Sequence, residues 1–112
     1  MGTTAYQKYQ QLITKKLDQA FQQEQEIKDA ASFISTALKN KGWIYACGTG
    51  HSHMLAEEVF YRAGGFARVR PLLLPKLMLH ESATGSTAEE RKEGYASLLF
   101  QEYEITERDV LI

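Results

Sequence analysis

The sequence predicts an α/β fold, a three-layer arrangement in which a parallel β-sheet is flanked by helices. Three observations predict it. Short apolar runs at 43–47, 67–74 and 109–112 alternate with stretches of helical pattern. The first run is apolar on both faces, which suits a central parallel strand covered on two sides. Residues 3–41 contain neither glycine nor proline and read as helix throughout.

In the helical opening, Tyr6, Tyr9, Ile13, Leu17 and Phe21 recur at helical spacing, and so do Ile27, Ala31, Ile34 and Leu38. The polar stretch Gln22–Glu26 divides the two sets, so the region is either two helices or one long bent helix. Asn40 and Gly42 supply the stop. Residues 43–47 form the first strand. A third helix begins at His51 or Ser52, carries Leu55, Val59 and Arg62 along one line, and ends at Gly64-Gly65. The second strand takes in Ala67–Arg70 and Leu72–Leu74, interrupted by Pro71. Residues 75–88 read mostly as loop. A fourth helix runs from about Glu90 to Glu102, burying Tyr95, Leu98 and Leu99. Glu107-Arg108-Asp109 turns into the third strand.

Residues 1–42 are thus read as N-terminal helices, and 43–112 as the first part of an α/β core. Asp109-Val110-Leu111-Ile112 reads as the opening of a buried strand, so the expectation is the front part of a longer domain, truncated after the start of its third strand.

Composition narrows the function. At 112 residues with 44% apolar and 24% charged residues, the chain has the make-up of one globular domain or less. A net charge of -1 gives no electrostatic reason to expect nucleic acid or a membrane surface as partner. A single cysteine excludes an internal disulfide framework. Residues 1–7 show no basic and apolar leader, so the cytoplasm is the expected compartment.

The informative motif is Gly48-Thr49-Gly50-His51-Ser52-His53, directly after Trp43–Cys47. A strand, a glycine-rich turn and a helix start follow one another without a gap. The glycines permit backbone shapes that a side chain would forbid. The helix start offers free N–H groups and partial positive charge, and phosphate is the usual occupant of such a place. Thr49 and Ser52 add hydroxyl donors. A phosphorylated small molecule is therefore expected, held by Gly48, Thr49, Gly50, His51, Ser52 and His53.

The same residues admit other readings. Gly48-x-Gly50 resembles half of a dinucleotide fingerprint, but His53 stands where the third glycine belongs. Arg68 and Arg70 occupy the region where an acidic ribose partner would lie. A tight turn with hydroxyl caps and no ligand is the plain alternative. The spacing of His51 and His53 is poor for a shared metal, so no metal and no cofactor are expected. Cys47 is read as a small buried hydrophobe rather than a nucleophile. Glu57-Glu58 are either a solvated face or a subunit contact. Glu81, in the loop after the second strand, is the candidate acid or base.

Gly48 through Glu58, followed by Phe60-Tyr61-Arg62-Ala63-Gly64-Gly65, closely resembles sugar isomerase (SIS) domain proteins. More narrowly, it is similar to bacterial phosphosugar-binding SIS proteins, themselves similar to N-acetylmuramic acid 6-phosphate etherase and phosphoheptose isomerase. The resemblance implies a flavodoxin-like, five-stranded parallel sheet that binds a sugar phosphate at its strand ends. It implies that the phosphate contacts Thr49, Ser52 and the backbone from Gly48 to His53. A second hydroxyl-rich loop would follow the third strand, just past Ile112. Glu81, in Leu79-His80-Glu81-Ser82-Ala83, loosely matches an acidic residue of the etherases. Three functions stay open: sugar-phosphate binding, an isomerase or etherase-type lyase activity, and a non-catalytic sensing module. SIS domains generally pair through helices, so a homo-oligomer is expected, with Tyr6, Tyr9, Ile13 and Leu17 near the contact.

Overall fold

The computed structural model describes residues 2–112; Met1, the first residue of the segment 1–42 read from the sequence as N-terminal helices, lies outside them. The elements run α1 (Ala5–Phe21), α2 (Glu24–Lys39), β1 (Ile44–Cys47), a 3₁₀ turn (Gly50–Ser52), α3 (His53–Val59), β2 (Val69–Leu72), a second 3₁₀ turn (Pro75–Leu77), α4 (Ala83–Glu90), α5 (Tyr95–Glu102) and β3 (Val110–Leu111). The chain divides into two compact units, one reaching Ser32 and the other starting at Phe33.

The helical opening is two helices, broken at Gln22-Gln23. At the start of α1, the backbone N–H and the hydroxyl of Thr4 both donate to Gln7 Oε1, at 2.9 and 2.8 Å. This satisfies a donor that the helix itself cannot reach. Tyr6, Tyr9, Ile13 and Leu17 on this helix are exposed. In α2, Glu24 and Glu26 lie in the first turn and Lys39 in the last, each opposite the helix partial charge it favours.

The stop of α2 differs in detail from expectation. Lys41, not a glycine, takes the left-handed shape, with φ 58. The Gly42 N–H donates to the Ala37 carbonyl at 2.7 Å and the Lys41 N–H to the Leu38 carbonyl at 3.1 Å, the paired bonds of a Schellman end. Gly42 is required for another reason: a Cβ there would lie 1.9 Å from the Arg108 carbonyl oxygen.

The sheet has three parallel strands in the order β2-β1-β3. In β1, Ile44, Tyr45 and Ala46 are all buried. Helix α3 packs on β1 and β2 through Ala56, which is fully buried. The strand order is that of the first three strands of a flavodoxin-like sheet, 2-1-3-4-5.

Four element boundaries depart from the sequence reading. First, β2 runs through Pro71, which stands opposite Ala46. Ile44 donates to the Arg68 carbonyl, so residues 68, 70 and 72 turn their polar groups toward β1 and Pro71 turns its missing N–H outward. Second, α3 ends at Val59 rather than at Gly64-Gly65. Phe60 is extended and Tyr61 is left-handed, with φ 54. Val59, Phe60 and Tyr61 are three weak helix formers in a row. Third, residues 75–88 are not mostly loop, because α4 occupies 83–90. Its buried contact is Ser86, whose Oγ donates to the Leu77 carbonyl at 2.7 Å. Apolar periodicity gives no sign of a helix anchored by a serine. Fourth, α5 starts at Tyr95 after Gly94, and packs Tyr95 and Leu99 on Leu74, Leu77 and Met78. Leu98, expected to be buried, is exposed.

A polar clasp holds the lower ends of the strands. Asp109 Oδ1 accepts the Trp43 N–H at 2.7 Å, while Oδ2 accepts the Thr106 N–H at 2.7 Å and its hydroxyl at 3.0 Å. Arg68 Nε donates to the Gly42 carbonyl at 2.8 Å, and its guanidinium also reaches the Lys41 carbonyl. Arg68 and Arg70 stack on the Trp43 ring at 4.6 and 4.1 Å from its centre. Burial alone pushes the Asp109 carboxyl up, but the hydrogen bonds from Thr106 and Trp43 and the Arg108 charge outweigh it. The net value lies below the ordinary 3.8.

A carboxylate whose pKa is lower in the folded state stabilises above the unfolded value and loses that contribution as pH falls through the folded one. Asp109→Ala is expected to cost about 1–3 kcal/mol near neutral pH, since it strands backbone donors. In urea melts, the gap between Asp109→Asn and the unaltered chain should narrow as pH drops from 3.8 downward.

Candidate functional site

The site is built at the upper end of β1. Because β2 lies on one side of β1 and β3 on the other, the connection after β1 runs one way along the sheet and the connection after β2 runs back past β1 the other way. A crevice opens at such a switch point, outside the carboxyl ends of the strands. The Cys47 N–H donates to the Ile112 carbonyl at 2.9 Å, so the end of β1 lies directly beside the residue that follows β3. The loop Gly48–His53 starts here.

The loop folds back tightly on itself. A Cβ on Gly48 would lie 2.5 Å from the Ser52 carbonyl carbon and 2.6 Å from the His53 nitrogen, so only glycine fits. Gly50 takes φ 54. The Ser52 N–H donates to the Thr49 carbonyl at 3.1 Å, closing the 3₁₀ turn that leads into α3. Thr49, His51 and Ser52 are exposed. Among the described residues, the N–H groups of Thr49, Gly50 and His51 donate to no intramolecular acceptor.

The two histidines of the loop behave differently. His51 faces solvent, whereas the His53 side chain is only 12% exposed. His53 Nδ1 lies 2.5 Å from the Gly50 carbonyl oxygen. A carbonyl only accepts, so Nδ1 carries the proton. His53 Nε2 lies 3.3 Å from Glu57 Oε2, one helical turn on. Glu58 instead pairs with Arg62 at 3.0 Å on an exposed face.

The segment after β2 comes back toward this loop. The Leu79 side chain would be 3.8 Å from a Cβ on Gly50, and α4 packs against the 3₁₀ turn at Gly50–Ser52. The sequence marks Leu79 only as part of the short apolar patch Leu77-Met78-Leu79, and its apolar pattern gives no sign of α4. The signal available for α4 was Ser82 three residues before Gly85, a cap whose Oγ accepts the Gly85 N–H at 3.0 Å. Glu81 lies just before this cap. It is exposed and 3.6 Å from His80 Nε2, and among the described residues no partner fixes it toward the loop.

Two further residues are placed by the structure. Burial pushes the Cys47 thiol above its ordinary range, which keeps it protonated and a poor nucleophile. Arg68 and Arg70 belong to the clasp at the opposite end of β1 and β2, so neither stands at the ligand end of the sheet. A groove of about 500 Å³ runs between the second 3₁₀ turn and α5, lined by Leu74, Pro75, Lys76, Tyr95 and Leu98 among others. None of the residues expected from the sequence to bind phosphate lines it.

Residues 8–112 match the family described as SIS domain. The chain belongs to the SIS domain family. A UPF0309 protein of Halalkalibacterium halodurans is 39% identical over 112 residues, covering 100% of this chain and 44% of that protein. A UPF0309 protein of Listeria innocua is 46% identical over 86 residues, covering 77% of this chain and 35% of its own length. One from Geobacillus thermodenitrificans is 42% identical over 103 residues, 91% of this chain and 41% of the relative. The chain thus spans less than half the length of these curated relatives. SIS membership ties the fold to carbohydrate or phosphosugar-related function. Among the described residues, no helix is long and apolar enough to cross a membrane.

The tight fold of the loop makes a direct prediction. Gly48→Ala is expected to destabilise the chain by about 1–3 kcal/mol through overpacking against Ser52 and His53. Thermal melting followed by circular dichroism checks it; an unchanged midpoint would show that the loop opens without cost.

Proposed function

We propose that this SIS domain binds a phosphorylated sugar, with the phosphate seated on the loop Gly48–His53. One observation carries the reading: backbone N–H groups at Thr49, Gly50 and His51, without an acceptor among the described residues, stand beside the exposed hydroxyl residues Thr49 and Ser52, at the switch point of a parallel sheet. An anion there meets donors that have no competing partner among the described residues. The sugar then lies over the crevice, toward the segment that follows β2. On this reading the chain needs no cofactor and no metal to hold its ligand.

Ser52→Ala is expected to weaken binding of a sugar 6-phosphate by about 0.5–1.5 kcal/mol, the net worth of one hydrogen bond. Gly50→Val should abolish it, because valine resists a positive φ and its side chain enters the space of the ligand and of Leu79. Isothermal titration decides between outcomes. Unchanged affinity in both variants would remove the loop from the site.

An isomerase or etherase-type lyase reaction uses Glu81 as its acid or base in this reading. Glu81 is exposed and two residues from Leu79, whose side chain lies near Gly50, a place from which a carboxylate can approach a bound sugar. Glu81→Gln should lower turnover with little change in affinity. An equal rate in an active protein would exclude this role and leave binding or sensing.

Association is part of the same proposal. The exposed residues Tyr6, Tyr9, Ile13 and Leu17 give α1 an apolar stripe suited to a second copy of the helix. Sedimentation should find a dimer or larger, and Ile13→Glu with Leu17→Glu should shift it to monomer. A monomer in the unaltered protein would end this part of the reading.

A further inference from the structure

The Gly50 carbonyl receives two donors from one residue. The His53 backbone N–H reaches it from the start of α3, and the His53 ring reaches it through Nδ1 at 2.5 Å. A trans peptide points its C=O and N–H in opposite directions. With the Gly50 carbonyl held on the His53 side, the N–H of the same peptide, which belongs to His51, points to the other side of the turn. That N–H has no acceptor among the described residues.

Nothing in Gly50 itself fixes this arrangement. Glycine tolerates both signs of φ, and its own position at φ 54 offers no steric lock. If the peptide flipped, its carbonyl oxygen would face outward in place of the His51 N–H. An anion would then meet an acceptor where it needs a donor. The ring that prevents the flip is itself held. Its far nitrogen lies 3.3 Å from Glu57 Oε2, which accepts from the ring only when Nε2 carries a proton as well, and the side chain is only 12% exposed, so water competes little for Nδ1.

We propose that His53 is a positioning residue: it clamps the Gly50 carbonyl through Nδ1 and thereby aims the His51 N–H at the bound anion, with Glu57 adding a second hold on the ring when Nε2 is also protonated. The inference rests on the reading of the Gly48–His53 loop as the phosphate seat, and deepens it. It turns the His53 side chain from a ligand contact into a support for one. It also explains why a histidine stands where a third glycine would complete a dinucleotide loop: the position supplies a side-chain donor that glycine lacks.

The test uses sulfate as probe, because its charge does not change across the neutral range. Binding is followed on the backbone amides of Gly50 and His51 by NMR in the full chain. His53→Ala should weaken sulfate binding about tenfold or more, the scale of one hydrogen bond to a charged group. His53→Asn places a side-chain N–H near the position of Nδ1 and should restore most of the loss. A role in packing alone would not show that rescue, since asparagine fills the space of the ring no better than other small side chains. Ring nitrogen shifts should show Nδ1 protonated. Unchanged sulfate affinity in His53→Ala, failure of His53→Asn to rescue, or an Nδ1 without its proton overturns the inference alone. Failure of the unaltered chain to bind sulfate overturns the phosphate reading of the loop and this inference with it.

Discussion

The register of β1 against its two neighbours is the constraint on which the rest depends. Ile44 stands opposite Val69 on one side and Val110 on the other. A slip of one residue would exchange the faces of Ile44, Tyr45 and Ala46, all of them buried. Hydrophobicity alone does not choose the register, because every one of these residues is apolar or aromatic. The choice is made by polar groups below the strands. Asp109 holds the Trp43 N–H, and Arg68 holds the Gly42 carbonyl. Each bond is made by a charged side chain from one strand segment to the backbone of the next, so each has only one position at which it can form. The close approach of Gly42 to the Arg108 carbonyl leaves no slack.

From that fixed lower end, the upper end follows. Four residues of β1 bring Cys47 level with Leu72 and beside Ile112. The loop must then turn within a few residues to start α3 on the same side of the sheet. Gly48 permits the fold-back and Gly50 the reversal, and the 3₁₀ turn delivers the chain into the helix. The donors left free in this turn are a consequence of its tightness, since a short reversal cannot satisfy its own N–H groups. Fold and candidate site are thus the same geometric problem solved once.

Much of this was legible in the sequence. The strand at 43–47, the glycine loop and the parallel α/β class all rest on short-range signals: apolar runs, glycine spacing and helical periodicity. What was not legible depends on contacts between distant residues. The helix α4 carries no apolar stripe, because its buried side chain is Ser86 bonded to the Leu77 carbonyl. Pro71 reads as a strand breaker until its place on the outer side of β2 is known. The left-handed Lys41 and Tyr61 are shapes that no local rule assigns to such residues. The orientation of the His53 ring was equally hidden, since a pattern of residue types does not say which way an imidazole turns. The same holds for Leu79, whose approach to Gly50 brings the segment after β2 to the loop.

Pro71 has a further effect, on the behaviour of the sheet as a surface. It sits on the outer flank of β2, where it offers a carbonyl but no N–H. A strand from another molecule that tried to lie along this flank would find its bonding ladder broken in the middle, and the neighbouring Arg70 is exposed and charged. Open sheet borders are the usual starting point for unwanted stacking of one molecule on another. On this side a single ring closure within one residue guards the border, at no cost to pairing with β1.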